Sequence, residues 1–318
     1  LLARGFSRYL YTKLERYMYR PGFGGYLLAG LLLPFSLLYT LAAVLKRAFS
    51  TPKEMGIPII SIGNLTLGGS GKTPLTIALA SPVKHSAIVL RGYKRHSKGM
   101  RIVSHWGKIT CNVQESGDEA MLYAKMLPNA LVIVSEDRIR GILKAKELGA
   151  KAVFLDDGFG KASIKKFDIL IRPTPPPPLP FCLPSGPYRE PFWAYRYADI
   201  VIEEGKDFVR KVHVENPTSA MVLVTAIANP ERLNPFLPTN LVASYTFPDH
   251  YMYTKKELSI LLERHQATSL LVTHKDAVKL EGLDLPLSLL ELTLSVSPSL
   301  HNSITTYLHQ YSAQTAKN

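Results

Sequence analysis

A chain of 318 residues, 46% of them apolar, is long enough for one large domain or two ordinary ones and too apolar to be intrinsically disordered. Its 38 Lys and Arg against 25 Asp and Glu leave a formal charge of +13, which points to acidic partners (nucleotides, anionic lipid or nucleic acid) without choosing among them. The two cysteines, Cys111 and Cys182, lie far apart and outside any CxxC spacing, which argues against a disulfide framework or a zinc site and suits a reducing cytoplasm.

The first predicted element is apolar. No charged side chain occurs over 21–45, and the 20 residues of 26–45 would form a helix ~30 Å long, about one hydrocarbon thickness. Pro34 interrupts the run, and basic residues flank it on both sides: Arg16 and Arg20 before, Lys46, Arg47 and Lys53 after. The positive-inside rule keeps both flanks cytoplasmic, so the segment reads as a kinked helix entering one leaflet or as a span, with a buried core helix as the third reading.

Beyond it, short β-branched runs alternate with helical ones, the pattern of a parallel sheet covered by helices. Strands are predicted over 57–62, 87–90, 131–134, 152–155, 168–171 and 198–202, with helices over 72–80, 118–127 and 138–148 between them. The proline-rich stretch 173–180 breaks the sheet pattern and reads as an extended surface segment. A linker over 203–211 leads to strands over 221–226, 241–247, 269–273 and 289–296, a helix over 255–265 and a closing helix near 303–310. The expected organisation is α/β with three parts. A membrane-associated segment (1–50) precedes a P-loop NTPase-like domain (51–205), whose parallel sheet carries helices on both faces, and a smaller α/β domain (206–318) follows.

The strongest chemical signal is Gly68-Gly69-Ser70-Gly71-Lys72-Thr73, between the first strand and the helix after it. Glycines let the backbone curl its amides toward phosphate oxygens, and the helix adds its positive N-terminal end. In such a loop, which includes Thr66 and Leu67, Lys72 reaches the β and γ phosphates of ATP and the Thr73 hydroxyl binds Mg2+. Thr66 stands where the strict pattern has glycine. Asp156 and Asp157 end the strand over 152–155, where phosphate-loop enzymes carry a metal-binding or water-orienting carboxylate; a turn-forming pair before Gly158 is the alternative. Thr273-His274-Lys275-Asp276 fails the guanine-reading NKxD pattern and no LSGGQ signature occurs, so a small-molecule kinase is the better reading than a GTPase or a transporter ATPase.

Several further motifs follow in order: Arg91-Gly92-Tyr93, Gly117-Asp118-Glu119, Glu136-Asp137-Arg138, Leu155-Asp156-Asp157-Gly158-Phe159, Gly186-Pro187-Tyr188-Arg189-Glu190-Pro191, Phe247-Pro248-Asp249-His250 and Lys275-Asp276-Ala277-Val278. Together with the phosphate loop they resemble the tetraacyldisaccharide 4′-kinase family, over most of the chain from about residue 8 to 280. The resemblance implies transfer of the γ-phosphoryl group of ATP, with Mg2+, to the 4′-hydroxyl of an acylated disaccharide 1-phosphate at the cytoplasmic face of the inner membrane. It further implies Asp118 as the base accepting the sugar hydroxyl proton, His250 as its support, and Arg189 and Glu190 at the border of the active site. Lys161 stands where the family's pattern has histidine after Asp-Asp-Gly-Phe-Gln.

Taken residue by residue, each role has a plainer alternative. Asp118 reads equally as a helix cap, His250 as a loop histidine, Arg189 with Glu190 as a surface ion pair, and Arg91 either as a substrate contact or as an exposed base. For the whole chain, the alternative is a membrane-associated nucleotide switch with no lipid substrate. The anionic membrane surface is the partner expected for the basic charge, and nucleic acid is not expected.

Overall fold

The structure is a computed structural model and describes residues 13–227, 230–248 and 251–315. Residues 13–19 are helical, and a second helix, Phe23–Ala48, carries the apolar run. Its 26 residues extend for about 39 Å, with Pro34 inside it. Only Ala29 and Ser36 of this helix are buried, while Leu27, Leu31, Phe35 and Leu38 are exposed. The core-helix reading therefore fails.

The first sheet has eight strands: β1 (Ile59–Asn64), β2 (Ser86–Leu90), β3 (Arg101–His105), β4 (Lys108–Ile109), β5 (Leu131–Val134), β6 (Ala152–Asp156), β7 (Phe167–Arg172) and β8 (Ile200–Glu203). They lie in the order β4-β3-β5-β2-β6-β1-β7-β8, and all pairings except those of β3 are parallel. The central strands β1, β2, β5 and β6 are buried throughout, as a parallel sheet covered on both faces requires. One face packs on the helices Lys72–Ala80, Asp118–Met126 and Pro298–Thr315 through Leu75, Tyr123 and Ile304; the other packs on Arg138–Glu147 through Ile142 and Ala145.

The second sheet has the order β11-β10-β12-β13-β9, formed by β9 (Phe208–Glu215), β10 (Met221–Thr225), β11 (Leu241–Thr246), β12 (Ser269–Thr273) and β13 (Leu287–Val296). Here the structure corrects the expected linker over 203–211. The chain turns at Gly205, where the Asp207 carboxylate accepts a bond from the Glu203 amide, and enters β9 at Phe208, antiparallel to β13. Phe208, Val212 and Val214 alternate with Lys211 and His213, a period-two strand pattern that the charged residues obscure. Phe208 packs in the core of the first sheet and Val212 and Val214 in that of the second, so this strand ties the two sheets together. Other elements that went unpredicted include the β3–β4 hairpin and the short helices Val113–Ser116 and His274–Leu280.

Gly158, just past β6, gives this packing a test. A Cβ there would lie 2.8 Å from both the Leu155 Cβ and the buried Ser61 hydroxyl, and the Leu155 Cβ is fixed to the backbone of β6. Gly158→Ala should cost ~1–3 kcal/mol of stability, read as a lower urea midpoint at unchanged slope.

Candidate active site

In an open α/β sheet the ligand crevice lies beyond the carboxyl ends of the strands. The phosphate loop leaves the carboxyl end of β1 there. Gly68 (φ 91°) and Gly71 (φ 84°) take left-handed backbone that a side chain would strain, and Gly71 caps the helix that follows. The position that breaks the strict glycine pattern has a different task. Thr66 is buried, pairs with Tyr188 in an isolated bridge and accepts a bond from Asn64 Nδ2 through its carbonyl (2.8 Å), while the Leu67 amide donates to the Pro187 carbonyl (2.8 Å). The loop is thus stapled to the segment that carries Arg189. Tyr19 donates to the Leu67 carbonyl and Arg232 to the Gly69 carbonyl, so the N-terminal region and the second sheet both touch it. Lys72 Nζ donates to Asn64 Oδ1 (2.9 Å) and lies 3.9 Å from Asp157 Oδ1.

The two aspartates at the end of β6 differ in environment. Asp157, at φ 54°, is held from two sides by Arg189 at 2.6 and 2.8 Å. Burial opposes its ionisation, but the Arg189 bonds and the charge of Lys72 outweigh it and hold the carboxyl at about 2. Asp156 is buried, and no protein group among the described residues donates to its Oδ1. Burial, with Glu119 adding to it, pushes its carboxyl up to about 7 against the pull of Lys72 and Arg138. A buried carboxylate oxygen with no donor fits a hard cation. Asp156 fits the metal role as it stands, whereas Asp157 meets a metal only by sharing itself with Arg189.

Arg189 also donates to the Asn64 carbonyl (2.9 Å) and side-chain oxygen (2.8 Å), which makes it a brace between β1, the phosphate loop and Asp157 rather than a surface ion pair. Its neighbour Glu190 turns the other way. It accepts bonds from Arg47 at 3.2 and 2.9 Å and so ties the apolar helix to this loop. Arg91 is exposed beyond β2 and shares its surroundings with Arg138 and Lys161; burial first, then Arg138, Lys46 and Arg91, lower the Lys161 ammonium.

Asp118 begins its helix, with Gly117 at the cap position, and its Oδ1 accepts from the Glu119 amide at 3.1 Å. That helix-start bond uses one oxygen. The other, Oδ2, lies 3.6 Å from Lys279 Nζ and 3.8 Å from Lys275 Nζ, both reaching across from the helix His274–Leu280 that follows β12. The Asp118 helix packs beside the phosphate-loop helix, and Asp118 lines a cavity of about 360 Å³ with Lys94, His96, Gln114, Met252 and Lys279. His250 lies outside the described residues.

Sequence reasoning assigned no role to Asn64, Arg138, Lys275 or Lys279. Asn64 serves Thr66, Lys72 and Arg189 at once, and Arg138 is buried with its Nη2 3.3 Å from the Asp156 carbonyl. Both stand inside or beside the quoted motifs, which was the available signal. The two lysines open and directly follow the motif Lys275-Asp276-Ala277-Val278, but their partner lies more than 150 residues away, so the motif does not show what they touch.

The model of the family described as tetraacyldisaccharide-1-P 4′-kinase matches residues 28–221 and 207–311 of the chain. A tetraacyldisaccharide 4′-kinase from Helicobacter acinonychis (strain Sheeba) is 49% identical over 298 residues, 94% of this chain and 95% of that one. Its namesake in Aliarcobacter butzleri (strain RM4018) is 46% identical over 306 residues, 94% of this chain and 97% of its own. Among solved structures, LpxK from Aquifex aeolicus in complex with ATP superposes with a TM-score of 0.73 at 28% identity, covering 88% of this chain and 99% of that one. With the strand, loop and carboxylate arrangement described above, these likenesses show that the chain belongs to the tetraacyldisaccharide-1-P 4′-kinase family.

Proposed function

We infer that the chain is a tetraacyldisaccharide 4′-kinase, which transfers the γ-phosphoryl group of ATP to the 4′-hydroxyl of tetraacyldisaccharide 1-phosphate in lipid A biosynthesis. The observation that carries the mechanism is the buried Asp118 carboxylate, which lines a cavity and stands on a helix packed against the phosphate-loop helix. In the reaction the sugar oxygen attacks the γ-phosphorus, the bond from that phosphorus to the β,γ-bridging oxygen breaks, and ADP leaves. The hydroxyl proton passes to the Asp118 carboxylate and from there to solvent. The loop amides and Lys72 hold the phosphates, and Arg189 keeps Asn64 and Asp157 in place around Lys72. Thr73 and Asp156, with Asp157, would hold Mg2+, which supplies charge neutralisation of the transferring phosphate when bound. His250 is the proposed support of Asp118.

Incubation of the purified protein in detergent with labelled ATP and tetraacyldisaccharide 1-phosphate should yield a lipid bearing a second phosphate. No transfer at any pH or magnesium concentration would sink this reading.

We further propose that the apolar helix lies in one leaflet at the cytoplasmic face of the inner membrane. The helix is tied to the globular body at several points. Ser36 donates to the Cys182 carbonyl (2.5 Å), Tyr39 to the Arg189 carbonyl (3.0 Å), and Arg47 pairs with Glu190, while just before the helix Arg20 reaches Glu231 (3.0 Å). A span would carry its two ends to opposite sides of a ~30 Å hydrocarbon layer, whereas both flanks rest on the same body. Leu27, Leu31 and Leu38 share the outward face. Replacing all three by Gln should move the protein from the membrane to the soluble fraction and weaken activity on acylated acceptor, with ATP binding retained. Unchanged membrane attachment would show that other surfaces anchor the enzyme.

A further inference from the structure

We propose that Lys279 is a positioning residue for phosphoryl transfer: it holds the Asp118 carboxylate ionised and aimed into the cavity, and its own place is fixed by a buried hub at Asp276 in the helix His274–Leu280. The inference rests on the reading of Asp118 as the base.

Lys279 is an unusual lysine. Its side chain is fully buried, and its Nζ lies 3.2 Å from Asp276 Oδ1 and 3.6 Å from Asp118 Oδ2. A buried ammonium needs a partner for its charge; here one stands between two carboxylates, on the helices Asp118–Met126 and His274–Leu280. Asp276 is itself fully buried and saturated. Thr225 Oγ1 (3.0 Å), the Ala226 amide (3.1 Å), the Tyr253 hydroxyl (3.0 Å) and Thr273 Oγ1 (2.8 Å) all donate to it, besides Lys279. Those donors come from β10, the segment before the Lys255–Arg264 helix, and β12, so Asp276 is rigid and Lys279 inherits that rigidity. The Tyr253 ring closes the remaining side, 5.7 Å from Nζ. Charge and aim thus reach Asp118 from a frame it does not itself belong to.

The other charged groups facing Asp118 among the described residues are Lys275, 18% exposed, and Glu119 on its own helix, with Lys94 and His96 across the cavity. Lys275 also lies 3.8 Å from Glu119, so its charge is divided and open to solvent. Lys279 also divides its charge, between Asp276 and Asp118, but both partners are buried and water does not screen it. A cation held beside a carboxylate favours the ionised form, the only form that can accept the sugar proton. Because it is anchored on the helix His274–Leu280, this cation also makes a competent base conditional on that helix being docked against the Asp118 helix.

The test compares Asp118→Asn, Lys279→Gln and the double variant Lys279→Met with Asp276→Asn, which removes the buried charges together and keeps hydrogen-bonding capacity at the hub. Each is checked for a cooperative melt and then assayed for kcat, the KM for ATP and the pH dependence of kcat. Loss of the cation should lower kcat by about 10²-fold, as misplacement of a reacting group does, with the KM for ATP within about twofold. The acid limb of kcat should also move up by about one pH unit or more, because the carboxylate then holds its proton more tightly. A folded Lys279 variant with parental kcat and an unmoved acid limb, beside an inactive Asp118→Asn, overturns the inference and leaves the base standing. Parental turnover in Asp118→Asn overturns the base and the inference with it.

Discussion

Asp118→Asn should lower turnover by ~10²–10⁴-fold, the range for removal of a positioned general base, while ATP still binds. The substitution is nearly isosteric, and the asparagine oxygen can still accept the Glu119 amide bond that starts the helix, so the fold has little reason to change. What is lost is the capacity to take a proton, together with the negative charge facing Lys275 and Lys279. A nucleotide-binding measurement and a thermal melt alongside the lipid assay separate chemistry from folding. Parental turnover would return Asp118 to the helix-start role its Oδ1 already fills.

The elements that position this site were legible because each has a local signature. The strands over 131–134 and 152–155 are continuous apolar runs, as a sheet buried on both faces demands, and the helix over 72–80 begins where glycine cedes to Lys72. The left-handed Gly68 and Gly71 explain the glycines of the phosphate loop. The strand Phe208–Glu215 was hidden because Arg210, Lys211 and His213 break its apolar rhythm, and its reason for existing, Phe208 in the core of the other sheet, is a tertiary fact.

The site residues divide in the same way. The order of motifs marked Asp118, Asp156, Asp157 and Arg189 as belonging together, but not what each touches. Glu190 stands beside Arg189 in sequence yet binds Arg47 of the apolar helix, because the chain bends at these two residues and sends their side chains to different partners. That separation couples the apolar helix and the phosphate loop through one short segment: Tyr39 donates to the Arg189 carbonyl, and the Arg189 side chain bonds Asn64, which receives Lys72. No periodicity in the sequence reveals such a chain of contacts.

Asp156→Asn should produce two opposite effects, a fall in magnesium-dependent turnover of about 10²-fold or more and a gain in stability at alkaline pH without metal. The second follows from the carboxyl being raised to about 7 by burial, with Glu119 adding to it, above its ordinary 3.8. The native state binds the proton more tightly than the unfolded chain, so the stability this group contributes is fully present below pH 3.8 and is lost as pH rises through 7. Above that, the native protein carries a buried ionised carboxylate at a cost on the order of a few kcal/mol, which asparagine does not carry. Thermal melts in EDTA should therefore place the variant above the parent at pH 8, with the gap closing toward pH 4. Adding Mg2+ and ATP at pH 8 should stabilise the parent and leave the variant little changed, because a cation at Asp156 offsets the same burial cost. A variant that keeps parental magnesium-dependent turnover would remove Asp156 from the metal site, and a variant less stable than the parent at pH 8 would show that the carboxylate has partners the geometry does not give it.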